Sequence, residues 1–319
     1  MGHNGPEPVP IFFTTFLSQQ GKATILGRGK QSTSEVNTSR LLTVLAAQTR
    51  PVAFDPSATL TKFEDEVQII ASSFPKTDLI VFPELYLNAE DPFTPLEPPG
   101  YEREIAEAIP GPLTERVGKI AARSKRWIVA GSILERAGDE IFNTAIVFSP
   151  EGELVTRHRK LMPWAPFEKT TAGSETSVFD IPGIGRIGLM ICYEGWFPEI
   201  ARGLALKGAE VIVQPSLTTT PDRAEELVLA RAHAIVNQCF VVNVNAVATL
   251  GGGRSIAVDP EGRVLFEAGQ NEELIPEVMD LDRVATVREH GTRGLNRVWQ
   301  HFLDAPSAVT EGYRTPPNV

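Results

Sequence analysis

Three short runs of the chain end on groups that could act together on a carbonyl. Leu79-Ile80-Val81-Phe82-Pro83 leads to Glu84, Leu154-Val155-Thr156-Arg157-His158-Arg159 leads to Lys160, and Ile187-Gly188-Leu189-Met190-Ile191 leads to Cys192. A carboxylate, an ammonium and a thiol complement one another. A thiol becomes an effective nucleophile when a neighbouring base takes its proton, and Glu84 is a group of that type. The oxyanion formed when sulfur adds to a carbonyl needs a positive charge or N–H groups aimed at it, which Lys160 and a backbone amide can supply. Each residue alone reads as an ordinary polar group where a strand meets a loop; the three together describe nucleophilic catalysis.

Strands that deliver side chains at their carboxyl ends belong to α/β sheets, where ligands sit along that edge, and the surrounding sequence alternates accordingly. Residues 41–48 are an apolar run suited to a buried strand. Over residues 57–74, Leu60, Phe63, Val67, Ile70 and Ala71 recur at helical spacing. Strands are predicted at 78–82, 127–135, 142–148 and 154–158, and a helix at 114–124. In the second half, strands at 177–181 and 186–191 flank a Gly-rich turn, and a helix at 198–207 starts with Pro198 and stops at Gly208. Strands at 211–213 and 240–245 enclose a helix capped by Thr220-Pro221 and running to Gln238. Residues 255–258 and 263–266 form a hairpin across Asp259-Pro260-Glu261-Gly262. This order predicts a single α/β domain of layered sheets and outer helices. Residues 1–40 read as a tail, 41–281 as the domain, and 282–319 as a C-terminal extension whose Trp299, Phe302 and Leu303 suit an oligomer contact.

The 319 residues would make about two average domains by length alone. Hydrophobic residues are 42% and charged residues 22%, which excludes disorder as the general state. The net charge of −10 argues against nucleic acid or an anionic membrane surface as a partner. No apolar run reaches the roughly 18 residues of a membrane helix, and no Lys or Arg precedes the apolar stretch at 9–13, so no signal peptide and a cytoplasmic location are expected. Two cysteines make no disulfide scaffold; Cys239, at the end of an apolar helix, reads as a buried inert thiol. The five histidines show no ligand spacing, so no metal or other cofactor is expected, and His158 and His233 read as packed structural residues. Gly251-Gly252-Gly253 lacks the context of a phosphate loop.

The segments Phe82-Pro83-Glu84-Leu85, Arg159-Lys160-Leu161-Met162-Pro163-Trp164 and Ile191-Cys192-Tyr193-Glu194-Gly195-Trp196-Phe197-Pro198-Glu199 resemble, in order and separation, the three catalytic motifs of the nitrilase superfamily of carbon–nitrogen hydrolases. The resemblance covers residues 41–281. It implies a four-layer α-β-β-α sandwich, a Glu-Lys-Cys triad, and a homodimer or higher homo-oligomer formed through the helices after the cysteine strand. By that resemblance Cys192 forms a thioester, Glu84 moves protons among thiol, leaving ammonia and water, and Lys160 with the backbone N–H of Tyr193 holds the oxyanion. Glu168, eight residues beyond Lys160, would position the amide nitrogen or the hydrolytic water, as in the aliphatic amidase and formamidase branch, which also carries a Trp in this stretch. Gly195-Trp196 stands where branches acting on N-carbamoyl amino acids or keto-acid amides carry Arg, which implies an apolar or neutral substrate contacted by Trp164, Trp196 and Leu85. Leu85 replaces the Tyr of the amidase branch, so the pocket near Glu84 is expected to differ in shape. The expected activity is hydrolysis of a small, mostly neutral amide to ammonia and a carboxylic acid, with amide and water as the small-molecule partners. The alternatives are a nitrilase, an N-carbamoyl amide hydrolase, and a non-catalytic binding member.

Overall fold

The computed structural model describes residues 39–92, 98, 100–249 and 251–306, so the tail predicted over 1–40 lies almost wholly outside the described residues. The chain enters with β1 (Leu41–Gln48), helix α1 (Pro56–Ser73) and β2 (Leu79–Val81). A short helix α2 (Tyr101–Ile105) and α3 (Pro112–Ser124) lead to β3 (Trp127–Ala137), β4 (Glu140–Phe148) and β5 (Leu154–Arg159). The second half holds β6 (Val178–Ile181), β7 (Gly185–Leu189), α4 (Pro198–Leu206), β8 (Val211–Ser216), α5 (Arg223–Asn237) and β9 (Phe240–Asn245). A small ladder of β10 (Val247–Ala248) and β11 (Gly251–Gly252) follows, then β12 (Ile256–Val258), β13 (Val264–Glu267) and β14 (Glu273–Asp280). The described chain ends with α6 (Asp282–His290) and α7 (Val298–Leu303).

Two six-stranded sheets result, ordered β14-β1-β2-β3-β4-β5 and β13-β12-β9-β8-β7-β6. Strand alternation explains how they stack, because successive side chains face opposite ways. Along β1, Val44 and Ala46 enter a core shared with Val211, Val213 and Val242 of the other sheet, whereas Leu45 and Ala47 pack with Phe63, Val67 and Val117 of α1 and α3. The second sheet repeats this, with Ile212 and Val241 turned towards Leu204, Leu227 and Ala234 of α4 and α5. These three apolar interfaces separate four layers, the α-β-β-α sandwich that the resemblance implied. Among the described residues no helix is long and apolar enough to cross a membrane.

Several elements differ from the sequence reading, which predicted none of α2, β10, β11, α6 and α7. Helix α5 begins at Arg223 with Asp222 at its N-cap position; the Thr220 hydroxyl engages the Asp222 carboxylate, so Thr220-Pro221 forms the lead-in turn. β14 was not anticipated, and it pairs antiparallel with β1 along its full length, from Leu41–Asp280 to Gln48–Glu273. α6 packs against the domain, with Val284 buried in the core between the sheets. Trp299 and Phe302 lie on the chain's own Arg202, at 5.8 and 4.8 Å from the guanidinium.

Candidate active site

Glu84 is carried on a loop just past β2. A bulge in β3 between Val129 and Ser132 makes room for it. Gly131 sits there at φ +69°, where a Cβ would come within 1.7 Å of the Pro83 carbonyl oxygen, so only glycine fits. Ser132 Oγ then accepts from the Leu85 amide at 3.1 Å. Glu84 is buried. Its Oε1 accepts from Lys160 Nζ at 2.8 Å and from Asn143 Nδ2 at 2.8 Å, while its Oε2 has no hydrogen-bond partner among the described residues.

Lys160 directly follows β5 and extends the pairing with β4, its amide donating to the Asn143 carbonyl at 2.8 Å. Alternation along β5 sends Arg157 and Arg159 to one face, where both bind Glu135, and His158 to the other. The loop after Lys160 folds back on it, with the Gly173 amide on the Lys160 carbonyl at 2.8 Å and no room for a Cβ at Gly173 against Arg159. This return places Glu168 Oε2 at 2.7 Å from Lys160 Nζ. The same oxygen accepts from the Trp164 amide at 2.9 Å, and Oε1 accepts from Asn143 Nδ2 at 3.0 Å and Thr170 Oγ1 at 2.9 Å. A carboxylate oxygen has two lone pairs, so both oxygens of Glu168 are fully engaged.

Cys192 opens a 3₁₀ turn, Cys192–Trp196, after β7. Its φ of +42° lies in the left-handed region, costly for a non-glycine residue and frequent at functional sites. The surroundings hold it there. Gln214 Nε2 donates to its carbonyl at 2.7 Å, and His233 Nε2 lies 2.7 Å from the Gly195 carbonyl. Glu194, wholly buried, accepts from the Leu161 amide at 2.6 Å and the Ile191 amide at 2.5 Å, and lies 3.0 Å from His158 Nε2. Leu161 follows Lys160 and Ile191 precedes Cys192, so one carboxylate ties the lysine of the first sheet to the cysteine of the second. The Tyr193 N–H stands in the first turn of the 3₁₀ segment, where amides have no partner within the helix.

Burial alone would lower the Lys160 pKa, but the Glu84 and Glu168 carboxylates outweigh it and hold the ammonium well above its ordinary range. Burial alone would raise Glu168; Lys160 reverses the sign and keeps it below the usual carboxylate range. Burial, reinforced by the Glu84 charge, pushes the Cys192 thiol well above its ordinary value, against the smaller opposing pull of Lys160. The structure brings Glu84, Lys160, Glu168 and Cys192 onto the wall of one cavity of about 150 Å³, with Leu85, Trp164, Phe167 and Leu217 as apolar lining and Glu90 and Glu102 also on its wall. Tyr193 lines a smaller neighbouring recess. Trp196 is 36% exposed and is not among the residues lining either. Cys239 is fully buried, its thiol pushed up to about 12 by burial.

The sequence reading assigned no supporting role to Asn143, Glu194, Gln214 or Thr218, whose Oγ1 lies 3.5 Å from Cys192 Sγ. For Glu194 a signal existed, an acid two residues past the nucleophile; Thr218 lies 26 residues away in sequence and carried none.

The model of the carbon–nitrogen hydrolase family matches residues 43–289. The omega-amidase NIT2 of Mus musculus is 32% identical over 207 residues, spanning 59% of this chain and 74% of its own. The formamidase of Bacillus cereus (strain B4264) is 30% identical over 256 residues, 75% of this chain and 74% of its own. Among solved structures, Nit3 of Saccharomyces cerevisiae, a member of branch 10 of the nitrilase superfamily, superposes with a TM-score of 0.71 at 27% identity, covering 78% of this chain and 94% of that one.

Proposed function

From the premise that this chain belongs to the carbon–nitrogen hydrolase family, we propose that it is a thiol-dependent amidohydrolase of small neutral amides, with Cys192 as nucleophile, Glu84 as general base and acid, and Lys160 as electrostatic stabiliser. The observation that carries this reading is the asymmetry of the two carboxylates around Lys160. Glu84 keeps one oxygen available for a proton, whereas both oxygens of Glu168 are occupied by protein donors. Glu84 therefore moves protons, and Glu168 holds the lysine and its loop.

The Cys192 thiol, raised by burial and by Glu84, rests neutral, so its proton leaves as the sulfur attacks. Sulfur adds to the amide carbon and the proton passes to Glu84. The carbonyl electron pair becomes an oxyanion held by the Lys160 ammonium and the Tyr193 N–H. Lys160, held charged by its two carboxylates, contributes as a fixed positive charge throughout and does not act as an acid. Collapse breaks the C–N bond, and Glu84 returns its proton to the departing nitrogen, leaving a thioester. Water then gives a proton to Glu84 and attacks the thioester, and the thiolate leaves, recovering that proton as the carboxylic acid forms.

The cavity supports a small acyl group, since about 150 Å³ is well below the roughly 300 Å³ at which drug-sized pockets begin. Among its described lining residues Lys160 is the one cation, and Glu84 and Glu168 already pair with it. A substrate bearing its own carboxylate would have to compete with both for that one cation, which separates this reading from the keto-acid and carbamoyl branches. Ammonia release is to be measured from short aliphatic amides, the matching nitriles and carboxylate-bearing amides. Release from the neutral amides, lost in Cys192→Ala, is expected; nitrile turnover without amide turnover would reassign the chain to nitrilase chemistry, and full activity in Cys192→Ala would end the proposal.

A further inference from the structure

Cys192 is approached by a second polar group, distinct from Glu84 and Lys160. Thr218 Oγ1 lies 3.5 Å from Cys192 Sγ and donates to Glu226 Oε1 at 3.0 Å. Glu226 Oε2 accepts from Arg223 Nη1 at 2.8 Å, and Arg223 Nη2 is anchored on Asn243 Oδ1 at 2.7 Å and the Arg254 carbonyl at 2.8 Å. Thr218, Glu226 and Arg223 are each at least nine-tenths buried. The Thr218 backbone is clamped on both sides by Asn245, whose Oδ1 accepts the Thr218 amide at 2.8 Å and whose Nδ2 donates to the Thr218 carbonyl at 2.9 Å. Cys192, Thr218 and Glu226 share the wall of the small recess, about 20 Å³, beside the main cavity.

We propose that Thr218 and Glu226 form a hydrogen-bonding arm that orients the Cys192 thiol and keeps its proton on sulfur in the resting enzyme. A hydroxyl has one proton to give and two lone pairs. The Glu226 carboxylate takes that proton, because a bond to a charged acceptor is stronger than one to a neutral sulfur. Thr218 is left facing the sulfur with lone pairs only, so it accepts from S–H and would repel a thiolate. Glu226 acts through Thr218 and is a positioning residue; Thr218 touches the reacting sulfur itself. The consequence is chemical economy: the thiol keeps its proton until a carbonyl arrives, and that same proton is then available, by way of Glu84, to the departing nitrogen. The inference rests on Cys192 being the nucleophile. The charged or titratable groups around the sulfur are Glu84, Lys160 with Glu168 behind it, Glu226 with Arg223 behind it, and Tyr193 and Asp222 on the recess wall.

The test is the pH dependence of iodoacetamide alkylation at Cys192, followed on its own peptide so that Cys239 does not contribute. Glu226→Gln presents a neutral amide that releases the Thr218 proton towards sulfur, and the alkylation midpoint is expected to fall by about one pH unit, which makes labelling near neutral pH about ten-fold faster. Thr218→Val removes the acceptor and is also expected to lower the midpoint, whereas Thr218→Ser keeps the wild-type profile. The double variant Thr218→Val/Glu226→Gln is expected to move no further than Thr218→Val, because the effect of Glu226 passes through the hydroxyl. A Glu226→Gln shift that persists undiminished in the Thr218→Val background would be a through-space charge effect and would overturn the arm. Should Glu226→Gln fail to fold, the Val and Ser variants decide alone, and identical midpoints for both overturn it. The two levels remain separable: turnover surviving Cys192→Ala removes the nucleophile reading, while Cys192-dependent turnover with unmoved midpoints removes only this inference.

Discussion

Replacing Glu194 by Gln tests how the two sheets are held in catalytic register. The wild-type carboxylate accepts from two buried backbone amides, Leu161 N at 2.6 Å and Ile191 N at 2.5 Å, and sits 3.0 Å from His158 Nε2. Glutamine keeps one acceptor oxygen, so its NH₂ must face one of those N–H groups. One charge-assisted bond is lost and one buried donor is left unsatisfied, together about 3–5 kcal/mol. For a domain of this size that lowers the melting temperature by roughly 10 °C. The two amides flank Lys160 and Cys192, so the cost should also appear in turnover: a displacement of about 1 Å between reacting groups lowers kcat by about 100-fold. Thermal unfolding followed by circular dichroism and ammonia release per folded enzyme are the paired assays. His158→Phe removes one partner but leaves both backbone amides on Glu194, and should cost less than half as much in each. A Glu194→Gln variant that melts within about 2 °C of wild type and turns over normally would refute the brace.

Lys160→Met leaves Glu84 and Glu168 without their shared cation; kcat should fall by about 100- to 1,000-fold, as loss of an oxyanion-stabilising group does, and a rate within ten-fold of wild type would contradict its role. Glu135 is held below the usual carboxylate range because the Arg159 fork and Thr144 override the opposing effect of burial. A depressed carboxylate stabilises the fold above its unfolded pKa, so Glu135→Gln should melt lower at pH 7, and the gap should close as the pH falls below about 4.3; a gap that widens in acid would contradict this. A Cβ at Gly195 would come within 2.4 Å of Gln214 Nε2, whose bond fixes the Cys192 carbonyl; Gly195→Ala should therefore lower kcat at least about ten-fold, and unchanged steady-state kinetics would show that Gln214 does not position the nucleophile. The exposed Val228 and Val236 on α5 are proposed to lie in a homo-oligomer interface, and light scattering should give a multiple of 34.8 kDa; a monomer would remove that interface.

Much of the architecture was legible because burial on both faces writes strong patterns. β1 and β9 are mostly apolar, largely buried interior strands and matched the expected 41–48 and 240–245. β14 was missed because it is an edge strand, half-exposed and interrupted by Pro276, where a proline is tolerated and the apolar signal is diluted. The cap of α5 was misplaced because Thr220-Pro221 carries the usual start signals, yet its hydroxyl is taken by Asp222. In the site, Glu84, Lys160 and Cys192 announced themselves by motif. The groups that hold them did not: Gln214 and Thr218 lie on and just past β8, the parallel neighbour of β7 in the same sheet, and His233 lies on α5, packed on that sheet, so only the pairing of β7 with β8 and the docking of α5 bring them to the cysteine turn. His158 was read as structural from strand alternation, but its Glu194 partner could not be named without knowing that β5 and β7 end side by side.

The central claim is that acyl transfer passes through Cys192 while Glu84 carries the proton. Its most direct test stops the wild-type enzyme within the first turnover of a short aliphatic amide, weighs the intact protein and maps the modified peptide, with ammonia counted in parallel. The predicted result is a mass gain equal to the acyl group on the Cys192 peptide, with one ammonia released for each adduct. Ammonia formed in that first turnover with Cys192 unmodified throughout would contradict it.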